Sequence, residues 1–140
     1  MSVRNNLYPH LLPQDIDVWI QFLAEHSSEY QYFDYDVRIG DGRDPGTLVE
    51  EKYRRMAIQL SQRRIDAVGH AGDHLDIIEI TVDAGIHAIG QLQTYPLLYQ
   101  QTYRPGLPLR PVLVCRTISP DIVGSLRFMQ ITAHTYPEGD

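Results

Sequence analysis

The sequence has little cysteine, almost no lysine and no long apolar run. With Cys115 as the only cysteine, neither an intrachain disulfide nor a cysteine zinc cluster can form, which favours a reducing compartment. The longest apolar runs are only a few residues, so a membrane span is not expected. The segment from Met1 to Leu12 has no apolar core of the kind found in signal peptides, so we do not expect secretion by a signal peptide.

Length and charge limit the classes of protein that fit. The 140 residues match one domain spanning positions 1–140 and leave no room for a second core. The net charge is -6, and Lys52 is the single lysine among the 12 basic residues. An acidic chain is a poor non-specific phosphate binder, so the net charge does not favour nucleic-acid binding. The alternative is that a local patch of arginines binds nucleic acid.

The pattern of apolar, capping and turn residues predicts helix, strand, helix, hairpin, helix, strand, helix, strand. This order is typical of an α/β fold with a mixed central sheet and flanking helices. The predicted helices begin at Pro13, at a Thr47 cap that forms a capping box with Glu50, at an Asp83 cap, and at Ser119-Pro120. The predicted strands are Tyr30–Ile39, Arg63–Val68, Leu75–Val82, Val112–Cys115 and Ile131–Tyr136. Pro96 is expected to kink or end the third helix, with a continuation to about Tyr103.

Two acids interrupt the apolar strands of the hairpin. Asp66 lies within Ile65–Val68, and Glu79 lies within Ile77–Ile80. A carboxylate in a buried strand is expensive unless it is paired or bound to a metal, and two acids on adjacent strands can face each other. Such a pair suits Mg²⁺ or Mn²⁺, which can activate water for phosphodiester hydrolysis. The alternative is that both acids lie on the solvated face of an antiparallel pair.

Three segments together resemble the PD-(D/E)xK superfamily, the restriction-endonuclease-like nucleases. They are Arg64-Ile65-Asp66-Ala67-Val68, Asp76-Ile77-Ile78-Glu79-Ile80-Thr81 and Ala88-Ile89-Gly90-Gln91-Leu92-Gln93-Thr94-Tyr95. The resemblance implies a core of helix, β-meander, helix and strand, and it is closest to small members carried in bacteriophage genomes. It also implies that Asp66 and Glu79 are metal-binding acids, and that Gln91 and Tyr95 match residues often found on the following helix.

The sequence departs from the family pattern at the lysine expected two residues after the second acid, where Thr81 stands. That lysine contacts the attacking water or the phosphate, and threonine carries no charge with which to do so. Lys52 lies on the preceding helix, where a solvated helix face is its expected place. Arg63 and Arg64 precede Asp66 rather than follow Glu79. The substitution therefore favours a degenerate site that keeps its two acids.

Tyrosines repeat every four residues on the third predicted helix, at Tyr95, Tyr99 and Tyr103. This stripe is interpreted as a protein interface, and the alternative is packing in the core.

Our first hypothesis is a non-catalytic structural or interaction protein on a nuclease fold. Its partners would be other protein subunits in an assembly or homo-oligomer, plausibly of a phage virion or its head–tail neck region, and it would need no cofactor. The alternative is a Mg²⁺- or Mn²⁺-dependent DNA nuclease that uses Asp66, Glu79 and Gln91. Either protein would be located in the bacterial cytoplasm or the virion.

Overall fold

The central sheet of the computed structural model, which describes residues 7–138, is mixed and carries helices on both faces. The helices are α1 (Pro13–His26), α2 (Glu51–Ser61), α3 (Ile86–Tyr103) and α4 (Val123–Phe128). The strands are β1 (Tyr32–Ile39), β2 (Arg63–His70), β3 (Leu75–Ile80), β4 (Asp83–Ala84), β5 (Leu109–Cys115), β6 (Thr117–Ile118) and β7 (Thr132–Thr135). The predicted α/β class is confirmed. Within the described residues, no helix has both the length and the apolar character needed to cross a bilayer.

The five-stranded sheet has the order β1-β2-β3-β5-β7. Strands β1, β2 and β3 form an antiparallel meander, whereas β5 pairs with β3 and β7 with β5 in parallel. The parallel pairing of β5 needs a crossover connection, which the long helix α3 supplies. Because β5 lies between two strands and under helices, its residues 112–115 are all buried, as their apolar run predicts.

Each face of the sheet has its own core. On one face α1 packs Ile16, Trp19 and Phe22 against side chains of β2, β3 and β5. On the other face α3 packs Leu92 and Tyr95 against the sheet, in two neighbouring clusters. The spacing of the α1 residues, which predicted this helix, is the spacing that lets one stripe of side chains face the sheet.

Asp36 changes the direction of the side chains in the middle of β1. Its φ angle is +53°, in the left-handed region that aspartate tolerates better than most residues. Before it, Phe33 and Tyr35 join the α1 face, and after it Val37 and Ile39 join the α3 face. In an undistorted strand all four would point the same way. The register places Asp36 opposite Asp66 of β2, so the distortion lies beside a predicted site residue.

Two predicted helix caps are wrong. Helix α2 begins at Glu51, and its N-cap Glu50 makes no side-chain capping bond, so the Thr47 capping box does not form. Asp83 belongs to β4, which pairs with β6, and Thr117 Oγ1 donates to its carboxylate at 2.5 Å. Helix α3 begins only at Ile86 and continues through Pro96 without ending. Caps are local preferences, and here the pairing of β4 with β6 outweighs one of them.

Candidate functional site

The structure brings the carboxyl groups of Asp66 and Glu79 together at the end of the β2–β3 pairing. The ladder pairs Ala67 with Ile78, so one step further Asp66 stands opposite Glu79. At this position a side-chain oxygen, rather than a backbone oxygen of β2, accepts the N–H of Ile80: the distance from the Ile80 nitrogen to Asp66 Oδ2 is 2.9 Å. The two carboxyl groups lie within hydrogen-bonding distance of each other, as the predicted hairpin requires.

Glu79 is the more deeply buried acid of the pair. Its residue is 4 % exposed, and its Oε1 has no hydrogen-bond partner among the described residues. Burial raises the pKa of Glu79 well above 4.5, and the adjacent Asp66 carboxylate raises it further. Burial also raises the pKa of Asp66, and the Ile80 N–H partly offsets that shift. Both shifts have burial as their largest cause, and in Glu79 the neighbouring carboxylate acts in the same direction, so this pair disfavours ionisation of Glu79.

A third acid adds negative charge to this site. Burial raises the pKa of the Asp15 carboxyl in the first turn of α1, the backbone groups of Leu12 and Val82 lower it, and the charge of Asp15 contributes to the raised pKa of Asp66. On the other side, His10 Nε2 donates to the backbone oxygen of Asp66 at 3.0 Å. The sequence identified Asp15 only as a first-turn acid, because its approach to β2 depends on how α1 crosses the sheet.

The Asp66 side of the pair opens into a cavity of about 460 Å³. Its lining consists of Pro9, His10, Asp36, Arg64 and Asp66. Arg64 brings a guanidinium group to this cavity, where Nη1 donates to Asp36 Oδ2 at 3.3 Å. A cation thus lies beside the acids even though the expected lysine is absent.

Thr81 offers no charge at the lysine position. Its backbone N–H donates to the Val114 oxygen at 3.0 Å, which ties this residue to the end of β5. Lys52 is exposed on α2 and is not among the residues that line the cavity beside Asp66. The arginine that precedes Asp66 is therefore the cationic side chain that the structure places at this cavity.

Gln91 lies in a different cavity. It lines a volume of about 260 Å³ on the α3 side with Arg63, His87 and Tyr95, and its Nε2 is 3.5 Å from the Tyr95 hydroxyl. The two cavities share no lining residue. The structure therefore does not unite Gln91 with the two acids in one cavity. Arg63 lines the cavity on the α3 side, whereas the next residue, Arg64, lines the cavity beside Asp66.

The predicted tyrosine interface is wrong for two of its three residues. Tyr95 and Tyr99 are only 8 % and 6 % exposed, and both pack against the sheet with Ile65 and Ile77. Tyr103, one turn further on, is about half exposed, and its hydroxyl donates to the Arg38 oxygen at 2.6 Å. The spacing of four kept the stripe on one face, but that face is the one turned towards the sheet.

Asp76 is a second buried carboxylate, and it lies at the opposite end of β3. Tyr30 donates to its Oδ2 at 2.5 Å, and His74 Nε2 lies 3.4 Å from its Oδ1. These three side chains line a cavity of about 200 Å³. The sequence shows that Asp76 lies three residues before Glu79. It does not show that Tyr30 and His74 contact Asp76, because these two residues lie outside β3.

The Tyr30 hydroxyl is expected to stabilise the fold through Asp76. We expect Tyr30→Phe to lower the free energy of unfolding by about 1.5–3 kcal/mol, because a hydrogen bond to a buried charge is lost. Tyr32→Phe is the matched control, since Tyr32 lies two residues further on, at the start of β1, and is 54 % exposed. Urea denaturation of both variants measures the difference, and equal stabilities would contradict the assigned role of Tyr30.

Among residues 7–138, no three His, Cys, Asp or Glu side chains converge tightly enough to hold a metal ion. Two carboxylates nevertheless fit Mg²⁺ or Mn²⁺, which commonly keep several water ligands and take only one or two acids from the protein. The unpartnered Glu79 Oε1 and the clustered negative charge are what such an ion would satisfy.

Comparisons with known proteins identify neither a family nor an activity. No protein-family model matches the sequence, and no curated protein is significantly similar to it. One solved structure, titled "Crystal Structure of Protein of Unknown Function AF1548", is similar with a TM-score of 0.48 and 14 % sequence identity. The match covers 89 % of this chain, and this chain spans 60 % of that one. The likeness carries no functional argument.

Proposed function

We propose that Asp66 and Glu79 form a divalent-cation site in a domain that hydrolyses phosphodiester bonds of DNA. The observation that supports this proposal is the buried acid pair, in which one Glu79 oxygen has no hydrogen-bond partner among the described residues. Asp66 has a structural bond to the Ile80 N–H, but replacing buried charges by well-packed apolar side chains is often neutral or stabilising, so stability alone gives no reason for the Glu79 carboxyl beside it. Acidic side chains that are buried at a cost in stability are expected at functional sites, where the reaction needs them.

The side chains around the pair can be given roles in this reaction. Asp66 and Glu79 would hold a Mg²⁺ or Mn²⁺ ion, which when bound would lower the pKa of a water ligand and polarise the phosphate. Arg64 lines the Asp66 cavity and would contact a phosphate oxygen there, stabilising the charge that develops in the transition state. His10, which donates to the Asp66 backbone, would keep that strand end in place.

The second candidate is a non-catalytic interaction protein on the same fold, as a structural subunit of an assembly such as a phage virion or its neck. Thr81 favours it, because the charge expected at that position is missing. The exposed apolar side chains of α2 also favour it, because such surfaces mark protein contacts. An ion bound by Asp66 and Glu79 would be structural in this case.

Cation binding separates the first candidate from a protein without a metal site. We expect Mn²⁺ and Mg²⁺ at neutral pH to raise the melting temperature, because the ion binds the folded state and relieves repulsion between the acids. At 100 times the dissociation constant the gain is about 2.7 kcal/mol, or roughly 8–13 °C for a domain of this size. Differential scanning fluorimetry with and without chelator measures the shift.

Glu79→Gln should abolish the metal-induced shift, and Asp76→Asn should keep it, because Asp76 is equally buried but belongs to another cavity. The companion assay is cleavage of single-stranded, linear and supercoiled DNA by the wild-type protein in the same ions. A shift with cleavage supports the nuclease, and a shift without cleavage supports the structural candidate. The absence of any shift would refute the cation site.

A further inference from the structure

The cavity beside Asp76 is separate from the cavity beside Asp66, and the two share no lining residue. Its walls come from the segment that precedes β1, from the turn between β2 and β3, and from β3, β5 and β7. Six of the side chains that line it are titratable: Glu29, Tyr30, His74, Asp76, Arg110 and His134. A cavity in which so many titratable groups converge is a candidate ligand site.

The strand register explains why these side chains meet. Asp76 of β3 pairs with Arg110 of β5, and Val114 of β5 pairs with His134 of β7. Arg110 and Val114 are four residues apart on one strand, so both point to the same face of the sheet. Val114 packs in the core with α1, which identifies that face. A buried acid and a base therefore project from neighbouring strands on the α1 side.

Asp76 has a carboxylate oxygen whose hydrogen-bonding capacity is unused. The residue is only 7 % exposed, and the Tyr30 hydroxyl donates to Oδ2 at 2.5 Å. Burial and this hydrogen bond raise the pKa of Tyr30, so its hydroxyl stays protonated as the donor. Oδ1 lies 3.4 Å from His74 Nε2 and has no hydrogen-bond partner among the described residues. A buried carboxylate oxygen of this kind is stabilised by a ligand that donates to it.

Arg110 supplies a cation that no described residue pairs with. Its side chain is exposed, and although it stands opposite Asp76, no hydrogen bond or ion pair joins its guanidinium to the described part of the chain. The second acid of the cavity, Glu29, is paired with His26 instead. Burial lowers the pKa of His134, which therefore lines the cavity as a neutral ring at neutral pH. The cavity thus offers one unused acceptor and one unused cation.

The size and the charges of the cavity limit what it can hold. Its volume of about 200 Å³ equals that of roughly seven water molecules at about 30 Å³ each, so a fitting ligand has about as many non-hydrogen atoms. A small anion would be repelled by Asp76 and Glu29, and a small cation would be repelled by Arg110. A molecule that carries one charge of each sign satisfies both unused groups.

We propose that this cavity binds a small zwitterion, namely a free amino acid of the size of glycine, alanine or serine. Its ammonium group donates to Asp76 Oδ1, and its carboxylate accepts two hydrogen bonds from the planar guanidinium of Arg110. The Tyr30 hydroxyl holds the Asp76 carboxylate in place for this contact. The site lies at the opposite end of β3 from Glu79, so it does not depend on whether the protein cleaves DNA.

A nuclear magnetic resonance titration of the full chain at neutral pH tests the proposal with three probes of similar size. L-Alanine carries both charges, ethylamine lacks the carboxylate, and propionate lacks the ammonium group. Each is added to roughly 20 mM, because ligands of so few atoms bind weakly. We expect alanine to shift the amide resonances of Ala71, His74 and Thr132, which line the cavity. It should bind at least about tenfold more tightly than either other probe, because each of those leaves one charged partner unsatisfied.

Variants of the two charged residues assign the contacts. Arg110→Gln should weaken alanine binding at least about tenfold, because two charge-assisted hydrogen bonds are lost. Arg127→Gln is the matched control: Arg127 is exposed on α4 and does not line the cavity, so this variant should bind alanine normally. Asp76→Asn should also weaken binding, and its thermal unfolding shows whether it folds. Arg110 is exposed, so Arg110→Gln decides the test if Asp76→Asn does not fold.

Three results would overturn the amino-acid site. The first is that alanine leaves the cavity amides unshifted at the highest concentration. The second is that ethylamine or propionate binds as tightly as alanine, which would mean that only one of the two charges is recognised. The third is that Arg110→Gln binds alanine like the wild type.

Discussion

Glu79→Gln should reduce Mg²⁺- or Mn²⁺-dependent DNA cleavage by about 10³-fold or more, which is the scale of losing a group that stabilises the transition state directly. Glutamine keeps the size of the side chain, and its amide can donate to the Asp66 carboxylate that stands opposite it. It supplies no negative charge to an ion. The loss would therefore report the missing metal ligand rather than a change in packing.

The variants around Glu79 distinguish the roles in the proposed reaction. Arg64→Ala should lower cleavage less, by roughly 10- to 100-fold, because the guanidinium contacts the phosphate without holding the ion. Asp76→Asn should leave cleavage near the wild-type level, since Asp76 is buried at the other end of β3. Rates on supercoiled DNA at saturating metal measure all three variants. Cleavage by Glu79→Gln at the wild-type rate would place the activity elsewhere in the chain.

The acid pair should make a contribution to stability that falls as the pH rises above about 4.5, opposite in direction to that of His134, whose pKa burial lowers, and Glu79→Gln should remove much of that fall. The folded-state pKa of Glu79 is raised by burial and by Asp66, so the folded protein keeps a proton that the unfolded chain releases. The free energy of unfolding therefore decreases between the ordinary pKa and the raised one, by about 1.4 kcal/mol for each unit of difference. The raised pKa of Asp66 acts in the same direction.

At pH 8 we expect Glu79→Gln to be more stable than the wild type by on the order of 2 kcal/mol, since a neutral amide replaces a buried ionisable acid. This corresponds to roughly 6–10 °C in melting temperature. At pH 4 the two proteins should unfold at nearly the same temperature, because Glu79 is protonated in both the folded and the unfolded state. Calorimetry at both pH values measures the effect, and a difference between the two proteins that stays the same from pH 4 to 8 would contradict the assigned pKa shift.

Much of the fold is predictable because its signals are local. Pro13 and the spacing of Ile16 and Trp19 predict α1, and the apolar run before Cys115 predicts a strand buried on both faces. The two β-rich runs around the turn at 69–74 predict the hairpin. Each of these signals depends on residues close together in the chain, so no distant partner needs to be known.

The errors arise where distant segments compete with a local preference. Asp83 has the chemistry of a helix cap, but it pairs with a strand more than 30 residues away. The tyrosines of α3 have the spacing of a single face, yet the spacing does not say whether that face meets the sheet or the solvent. Apolar character does not show which face of α3 meets the sheet either, because the apolar side chains of Ile86 and Leu97 on the same helix are exposed.

For the candidate site, the sequence by itself determined the two acids and their opposite places on the hairpin. Only the tertiary structure decided that Glu79 is buried with an unpartnered oxygen, that Asp15 adds its charge and that Arg64 opens towards Asp66. The physical reason is that strand pairing follows from positions along the chain, whereas burial and charge depend on the elements that pack over the hairpin. Helix α1 and the distortion at Asp36 are such elements, and their approach is set by the whole fold.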